Sequence, residues 1–279
     1  MKLSQESSGG KYLANPTSPK SPDFVCPKCK QPLRVGDNTL TCADCGRVFP
    51  IIRGVPDFLS SASLAPATSH IAKVMDLVAP IYESRLFVSV LLRLSGIRNG
   101  PQFIGHIASF HAETLGGITG QVLDVACGPA TYSRRLASPA RDIYGIDISM
   151  GVLQQGRRYI ARDHAPNVHL ARARVEELPF EDAVFDGVIC SGSLHLFPDT
   201  VLALREIART MKPGAPLSVQ TFVSGNTPVN WYVQKRSWLH TFEIAELQQD
   251  LVEAGFRGFR PKAEGIAVTF SARKATSSI

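Results

Sequence analysis

The chain of 279 residues lacks several features that would assign it to a class at once. No run approaches the roughly 18 consecutive apolar residues of a membrane span, and Met1 to Asp23 holds no apolar core of a secretory signal. We therefore expect a cytoplasmic protein. The leader is rich in Ser, Gly, Pro and Lys and nearly free of acids, which reads as a disordered tail over 1–23, with an organelle transit peptide the less favoured alternative. Net charge is +6 and the pI about 9.1, but the basic residues are dispersed and interrupted by acids, the pattern of a solvated mixed surface rather than of a nucleic-acid stripe. The dinucleotide fingerprint Gly-x-Gly-x-x-Gly is absent, with Ala126, Gly128 and Ala130 in its place.

Cysteine is scarce as well, yet four of the six are paired in two knuckles. Cys26-Pro-Lys-Cys29 and Cys42-Ala-Asp-Cys45 stand twelve residues apart, a spacing that brings four thiolates into a tetrahedron and leaves no open position on the metal. Structural zinc is favoured over two disulfides, which fit a cytosolic chain poorly, and over a redox pair, which needs only one knuckle. A unit of this size, 24–60, buries too little surface to fold unaided, so the metal supplies most of its stability.

The rest is organised around 121–149. Gln121 to Ala126 is an apolar strand carrying Asp124, and Cys127-Gly128-Pro129-Ala130-Thr131 is a turn small enough for a ligand to lie on bare backbone. A helix follows from Thr131 to Ala137, with Pro129 at its first position, and its exposed amides favour an anionic group such as a carboxylate. The next strand, from Ile143 to Ile146, ends in Asp147, 19 positions after Gly128, where an ionised carboxylate suits a ribose diol. These are the parts of a nucleoside-binding βαβ unit.

Further along, Ser149 is placed to cap a helix running to Ala161. Strands are expected at Val168–Ala171, Phe185–Ser191 and Leu217–Val223, helices at Asp199–Met211 and Thr241–Ala254, and two last strands through Phe270. Upstream, Ser61 to Ser69 reads as a linker. Ile71 to about Arg98 has helical periodicity broken at Pro80, and Phe103 to Leu115 reads as a second helix.

The block Val-Leu-Asp-Val-Ala-Cys-Gly-Pro-Ala-Thr, with Gly-Ile-Asp-Ile-Ser-Met and Phe-Asp-Gly-Val, resembles the motifs of class I S-adenosylmethionine (SAM) dependent methyltransferases, and the likeness runs from about Ile71 to Lys274. The stretch from Cys45 to Leu59 resembles the zinc ribbon fused to the front of many bacterial methyltransferases and related to a tRNA methyltransferase activator subunit. The resemblance implies an α/β, doubly wound, Rossmann-like seven-stranded sheet with helices on both faces. A zinc ribbon (24–60) and a linker with a helical cap (61–118) would precede a SAM-binding core (119–274).

It further implies a cofactor lying along Asp124, Ala126, Gly128, Asp147, Ile148 and Ser191, with Tyr82 of the Ala-Pro-Ile-Tyr-Glu segment laid over its methionine end. Where the family commonly has an aspartate for the adenine amino group this chain has Arg174, which leaves that contact to backbone near Val175.

Methyl transfer from a sulfonium needs positioning and exclusion of water, and a base only if the acceptor must lose a proton. The fourth strand ends in Ser191-Gly192-Ser193-Leu194-His195, without the Asn/Asp-Pro-Pro-Tyr of enzymes that methylate exocyclic amines and without a cysteine after proline. His195 is the candidate base, weighed against a packed structural histidine. His240 and Glu243 are runners-up, and Trp231, Tyr232 and Trp238 could furnish an aromatic pocket. We expect a methyltransferase for a small-molecule acceptor, secondary metabolite or quinone-like, through O, N or C. The alternatives are a ribosomal RNA base methyltransferase gripping RNA with its ribbon, and a non-catalytic SAM-binding scaffold.

Overall fold

The computed structural model describes residues 24–59, 64–84, 89, 100–223, 242–264 and 266–276. The expected tail (1–23), most of the stretch from Arg85 to Arg98, and Trp231, Tyr232, Trp238 and His240 lie outside them.

Four short strands, β1 (Leu33–Val35), β2 (Thr39–Cys42), β3 (Val48–Ile52) and β4 (Val55–Pro56), form an antiparallel sheet in that order and carry the cysteine knuckles at its turns. Helix α1 (Pro66–Val78) starts inside the stretch expected to be linker, because Pro66 occupies its first position, where the missing N–H costs nothing. A single tight turn, Ala79–Ile81, follows the helix at Pro80. Helix α2 (Gly100–Leu115) leads into the core.

The core runs β5 (Gly120–Val125), α3 (Thr131–Leu136), β6 (Arg141–Asp147), α4 (Met150–Arg162), β7 (Val168–Arg172), β8 (Gly187–Ser191), α5 (Thr200–Thr210), β9 (Pro216–Phe222), α6 (Ile244–Glu253), β10 (Phe256–Glu264) and β11 (Ala267–Lys274). Its seven strands stand in the order β10-β11-β9-β8-β5-β6-β7, parallel from β9 to β7 and antiparallel at β10 and β11. The chain winds outward from β5 to β7 and returns to β8 on the other side of β5. The carboxyl ends of β5 and β8 are therefore the switch point at which doubly wound sheets hold ligands.

Alternation along the strands sends Val122, Ile143 and Ile189 to the face covered by α2 and α3, where they meet Leu115 and Leu136. Leu123, Val125, Tyr144, Ile146, Val188, Cys190, Leu217 and Val219 go to the other, which α5 and α6 cover. Only a single turn, Val175–Glu177, interrupts the connection from β7 to β8, so no crossover helix fills that side of the second face. The ribbon takes the place. Cys26, Leu40, Cys42, Phe49 and Phe58 belong to the same buried cluster as Tyr144, Phe180 and Phe185, and Phe24 touches the rings of Phe58, Tyr144 and Phe180.

The ribbon also closes the exposed edge of the sheet. Asp57 bridges Arg172 in parallel register, and Phe58 N–H donates to the Arg172 carbonyl at 2.8 Å. Covering an edge strand in this way removes unpaired backbone groups that would otherwise template aggregation. Val25 N–H donates to the Pro179 carbonyl, and Lys30 reaches both the Leu178 carbonyl (2.9 Å) and Glu206 on α5 (3.0 Å). No described helix is long and apolar enough to cross a membrane.

Candidate functional site

The turn after β5 keeps a left-handed backbone at every second residue: φ is +54° at Ala126, +55° at Gly128 and +61° at Ala130. Two alanines thus adopt the conformation for which glycine is the usual residue, at roughly 1–2 kcal/mol each. Ala130 is the N-cap of α3, so the helix begins at Thr131 and Pro129 belongs to the turn, not to the first helical position. The absence of a Cβ at Gly156 lets α4 lie close against this turn, since a Cβ there would stand 3.0 Å from the Pro129 backbone.

Asp147, at the tip of β6, pins the turn. One carboxylate oxygen accepts from Gly128 N–H (2.9 Å) and the other from Ser149 N–H (2.8 Å). The Ile148 amide also contacts this carboxylate, and of the about four lone-pair sites of a carboxylate at least one remains for a ligand. Burial raises its pKa against these amide bonds. Ser149 caps α4, accepting from Val152 N–H.

Asp124 does not reach the cleft edge as expected of a cofactor contact. It is buried, and it accepts from Ser133 Oγ on α3 at 2.5 Å. Burial pushes its pKa up to about 7, against the hydroxyl that holds it.

The cap clasps this edge with two carboxylates. Asp76 on α1 accepts from Ser149 Oγ (2.5 Å) and Gly151 N–H (2.7 Å) at the start of α4. Glu83 accepts from Thr131 Oγ (2.5 Å) at the start of α3 and pairs with Arg134. Between them Tyr82 lies over the turn, its hydroxyl 3.8 Å from the place a Cβ on Gly128 would take. Burial, with Asp147 and Glu83 nearby, pushes its pKa up to about 12.

On the far side of Asp147, the Ile148 carbonyl accepts from Arg172 Nε (2.8 Å), and Ala173 N–H donates to the Asp147 carbonyl (3.1 Å). Val175 is buried at this corner. The Arg174 side chain pairs with Glu177 at 3.0 Å. Arg172, which the sequence did not single out, also pairs with buried Asp57 of the ribbon at 3.0 Å. The ribbon is thereby joined through one guanidinium to the loop after β6.

The tip of β8 distinguishes the two readings weighed for His195. Its side chain is packed away, which agrees with the structural alternative and not with the candidate base. Its Nδ1 lies 3.3 Å from Thr221 Oγ1, on the ribbon-side face of β9, and its ring meets Phe222 edge-on. Burial pushes its pKa down to about 4. The histidine at this edge on the opposite face is His111 of α2, which spans Ser191 Oγ (2.5 Å) and Ser218 Oγ (2.8 Å) and has Tyr132 against its ring. Sequence reasoning missed it, although Ile107, His111 and Leu115 at four-residue spacing place a titratable group in an apolar stripe. Cys190 is buried within the strand, its thiol pushed up to about 12 by burial, as suits a core residue. Glu243 forms a capping box with Glu246 at the start of α6.

The thiol groups of Cys26, Cys29, Cys42 and Cys45 lie within 4.8 Å of one another, with Cys26–Cys45 at 3.7 Å and Cys29–Cys42 at 3.4 Å. Zinc–thiolate bonds of about 2.3 Å set tetrahedral sulfur separations near 3.8 Å, so the donors and their spacing fit zinc.

A seven-stranded sheet of this order, with a tight turn after its first strand and an acid at the tip of the second, defines the class I SAM-dependent methyltransferases, and the chain belongs to them. Residues 122–214 match the family model described as a methyltransferase domain, and residues 24–54 match that of the Trm112p-like proteins. The ubiquinone/menaquinone biosynthesis C-methyltransferase of Hahella chejuensis is 30% identical over 71% of this chain and 76% of its own length. An uncharacterized chloroplastic methyltransferase of Arabidopsis thaliana is 24% identical over 90% of this chain and 78% of its own.

Among solved structures, the phosphoethanolamine N-methyltransferase 2 of Haemonchus contortus has a TM-score of 0.63 at 15% identity, covering 82% of this chain and 62% of that one. The cyclase SpnF has 0.62 at 19%, covering 78% and 100%. At such identities the likeness is one of fold. The cofactors are SAM, as the methyl donor, and a structural zinc ion.

Proposed function

We propose that the chain methylates a small hydroxylated aromatic of quinone type on a ring carbon, in the cytoplasm. The supporting observation is the 30% identity, across three-quarters of its length, to a C-methyltransferase of ubiquinone/menaquinone biosynthesis. SAM, when bound, supplies an activated methyl group on a sulfonium. The protein's own task is then to orient and to keep water out.

In this reading Asp147 holds the ribose diol with the lone-pair capacity that the Gly128, Ser149 and Ile148 amides leave open. The Ala126–Gly128 backbone and the start of α3 receive the methionine carboxylate, and Tyr82 covers it. Ile148 and the backbone near Val175 flank the adenine, while Arg174 is engaged with Glu177. Asp124, through Ser133, is a positioning residue for the turn. His195 has no part in the chemistry, and the neutral tip Ser191-Gly192-Ser193-Leu194 borders the acceptor.

Two measurements test this. Asp147→Ala should bind S-adenosylhomocysteine about ten- to a hundredfold more weakly by calorimetry, the loss of charge-assisted hydrogen bonds worth roughly 1.5–3 kcal/mol. Affinity equal to the parent's would refute the ribose assignment. Radiolabelled SAM, incubated with the full chain and fractionated cell extracts, should label the aromatic lipid-soluble fraction. Label in RNA instead would overturn the acceptor and favour the ribbon as a nucleic-acid grip.

A further inference from the structure

The buried triad of Ser218, His111 and Ser191 spans β9, α2 and the tip of β8 and leads from the interior to the cleft. Ser218 and His111 are fully buried, whereas Ser191 is partly exposed at the carboxyl edge. A neutral imidazole donates from one nitrogen and accepts at the other, so the state of one end dictates the other.

The inner end decides. Among the described residues the Ser218 hydroxyl has His111 as its side-chain partner. Were Nδ1–H the donor, the Ser218 proton would have no side-chain acceptor among the described residues. Were Ser218 the donor, only spare lone pairs would go unused, which is the cheaper outcome. Ser218 therefore donates to Nδ1, and His111 carries its proton on Nε2 and donates to Ser191 Oγ. With that lone pair occupied, the Ser191 hydroxyl turns its own proton outward. Burial, which pushes His111 down to about 3, keeps the ring neutral, so that this order of donors holds at physiological pH.

We propose that Ser191 is the group that grips the oxygen of the methyl acceptor, with His111, clamped by Ser218, as the positioning residue that fixes Ser191 as a hydrogen-bond donor. The ligand chemistry is a ring oxygen of phenol, phenolate or enolate type, conjugated to the carbon that is methylated. A donor placed on such an oxygen stabilises the negative charge that the acceptor, ionised as phenolate or enolate, carries into the transfer. The ring carbon bonds the methyl as the carbon–sulfur bond of the sulfonium breaks, and the proton on that carbon passes to water. This rests on the aromatic-acceptor reading above, and it moves Ser191 from the cofactor to the acceptor side of the cleft.

The zinc-loaded full chain tests it in two ways. With histidine labelled by nitrogen-15, long-range proton–nitrogen spectra at neutral pH should show His111 as the Nε2–H tautomer, and Ser218→Ala should shift that signature. The Nδ1–H tautomer in the parent, or an unchanged spectrum in S218A, overturns the clamp. Secondly, binding of naphthol and of naphthalene, the same ring without oxygen, is measured on protein saturated with S-adenosylhomocysteine. Ser191→Ala should weaken naphthol roughly tenfold while leaving naphthalene and S-adenosylhomocysteine unchanged. If the parent and S191A bind naphthol equally, the assignment of Ser191 fails while the aromatic acceptor stands. If the parent binds neither ring, the acceptor reading itself fails and carries this inference with it.

Discussion

On one face of the seven-stranded sheet the chain buries Leu123, Val125, Tyr144, Val188, Leu217 and Val219 against two helices and the zinc ribbon. On the other, the same strands turn Asp124, Ser191 and Ser218 toward Ser133 and His111. The odd and even positions of the strands thus do different work. The ribbon side is an ordinary close-packed core with rings at 4.8–6.3 Å, and it supplies stability. The cleft side keeps Val122, Ile143 and Ile189 in a smaller apolar cluster and sets beside it paired hydroxyl, carboxyl and imidazole groups. Such a set costs desolvation but holds each member in one direction.

The hardest blow to this comparison falls on the ribbon side. Cys42→Ser should abolish zinc retention and withdraw a binding free energy on the order of 10 kcal/mol from the small unit. Phe24, Phe49 and Phe58 then leave the sheet, baring Tyr144 and Phe180. The expected result is a much lower melting temperature and loss of bound zinc. Because Arg172 joins Asp57 to the Ile148 carbonyl, affinity for S-adenosylhomocysteine should also fall at least tenfold. Full cofactor affinity in a zinc-free, folded variant would show that the two sides are independent.

How much of this was legible beforehand varies with the kind of residue. The strands, the acid at Asp147 and the two cysteine knuckles follow from periodicity and spacing, because those patterns come from local geometry. The start of α1 was misplaced, since a proline that ends one pattern can also open a helix. Where the ribbon docks could not be read, because it depends on a crossover that lacks a helix, and Val175 in that crossover is far along the chain from the second knuckle at Cys45. His111 went unread for a related reason. Nearness in sequence to a strand tip drew attention to His195, which was weighed against a packed role, but the face a residue turns to is fixed by tertiary packing.

A smaller effect separates the two histidines from Asp124. Both are buried neutral, with pKa values lowered to about 4 for His195 and about 3 for His111, so each adds stability that is present above the unfolded value near 6.5 and lost as pH falls. Asp124, raised to about 7, has the opposite sign: its cost sets in as pH rises from about 4 to 7. His195→Gln, which retains a partner for Thr221, should flatten the fall in stability between about pH 6 and 4 by roughly 1.4 kcal/mol per pH unit. Activity near neutrality should stay unchanged. A variant without turnover but with an unaltered acid slope would restore His195 to the cleft as a base.

The smallest expected effect concerns the turn that both faces share. Ala126 holds φ of +54° and is partly exposed, so Ala126→Gly relieves about 1 kcal/mol of left-handed strain while giving the unfolded chain a comparable gain in entropy. The two nearly cancel, and the melting temperature should move by no more than a few degrees. Affinity for S-adenosylhomocysteine should stay within about threefold of the parent, because the backbone already has the shape a glycine would give it. A large gain in affinity in A126G would instead mean that the alanine methyl obstructs the cleft and that the turn is a weakened version of its family's form. An unchanged affinity means that the missing glycines altered the cost of the turn and not its geometry.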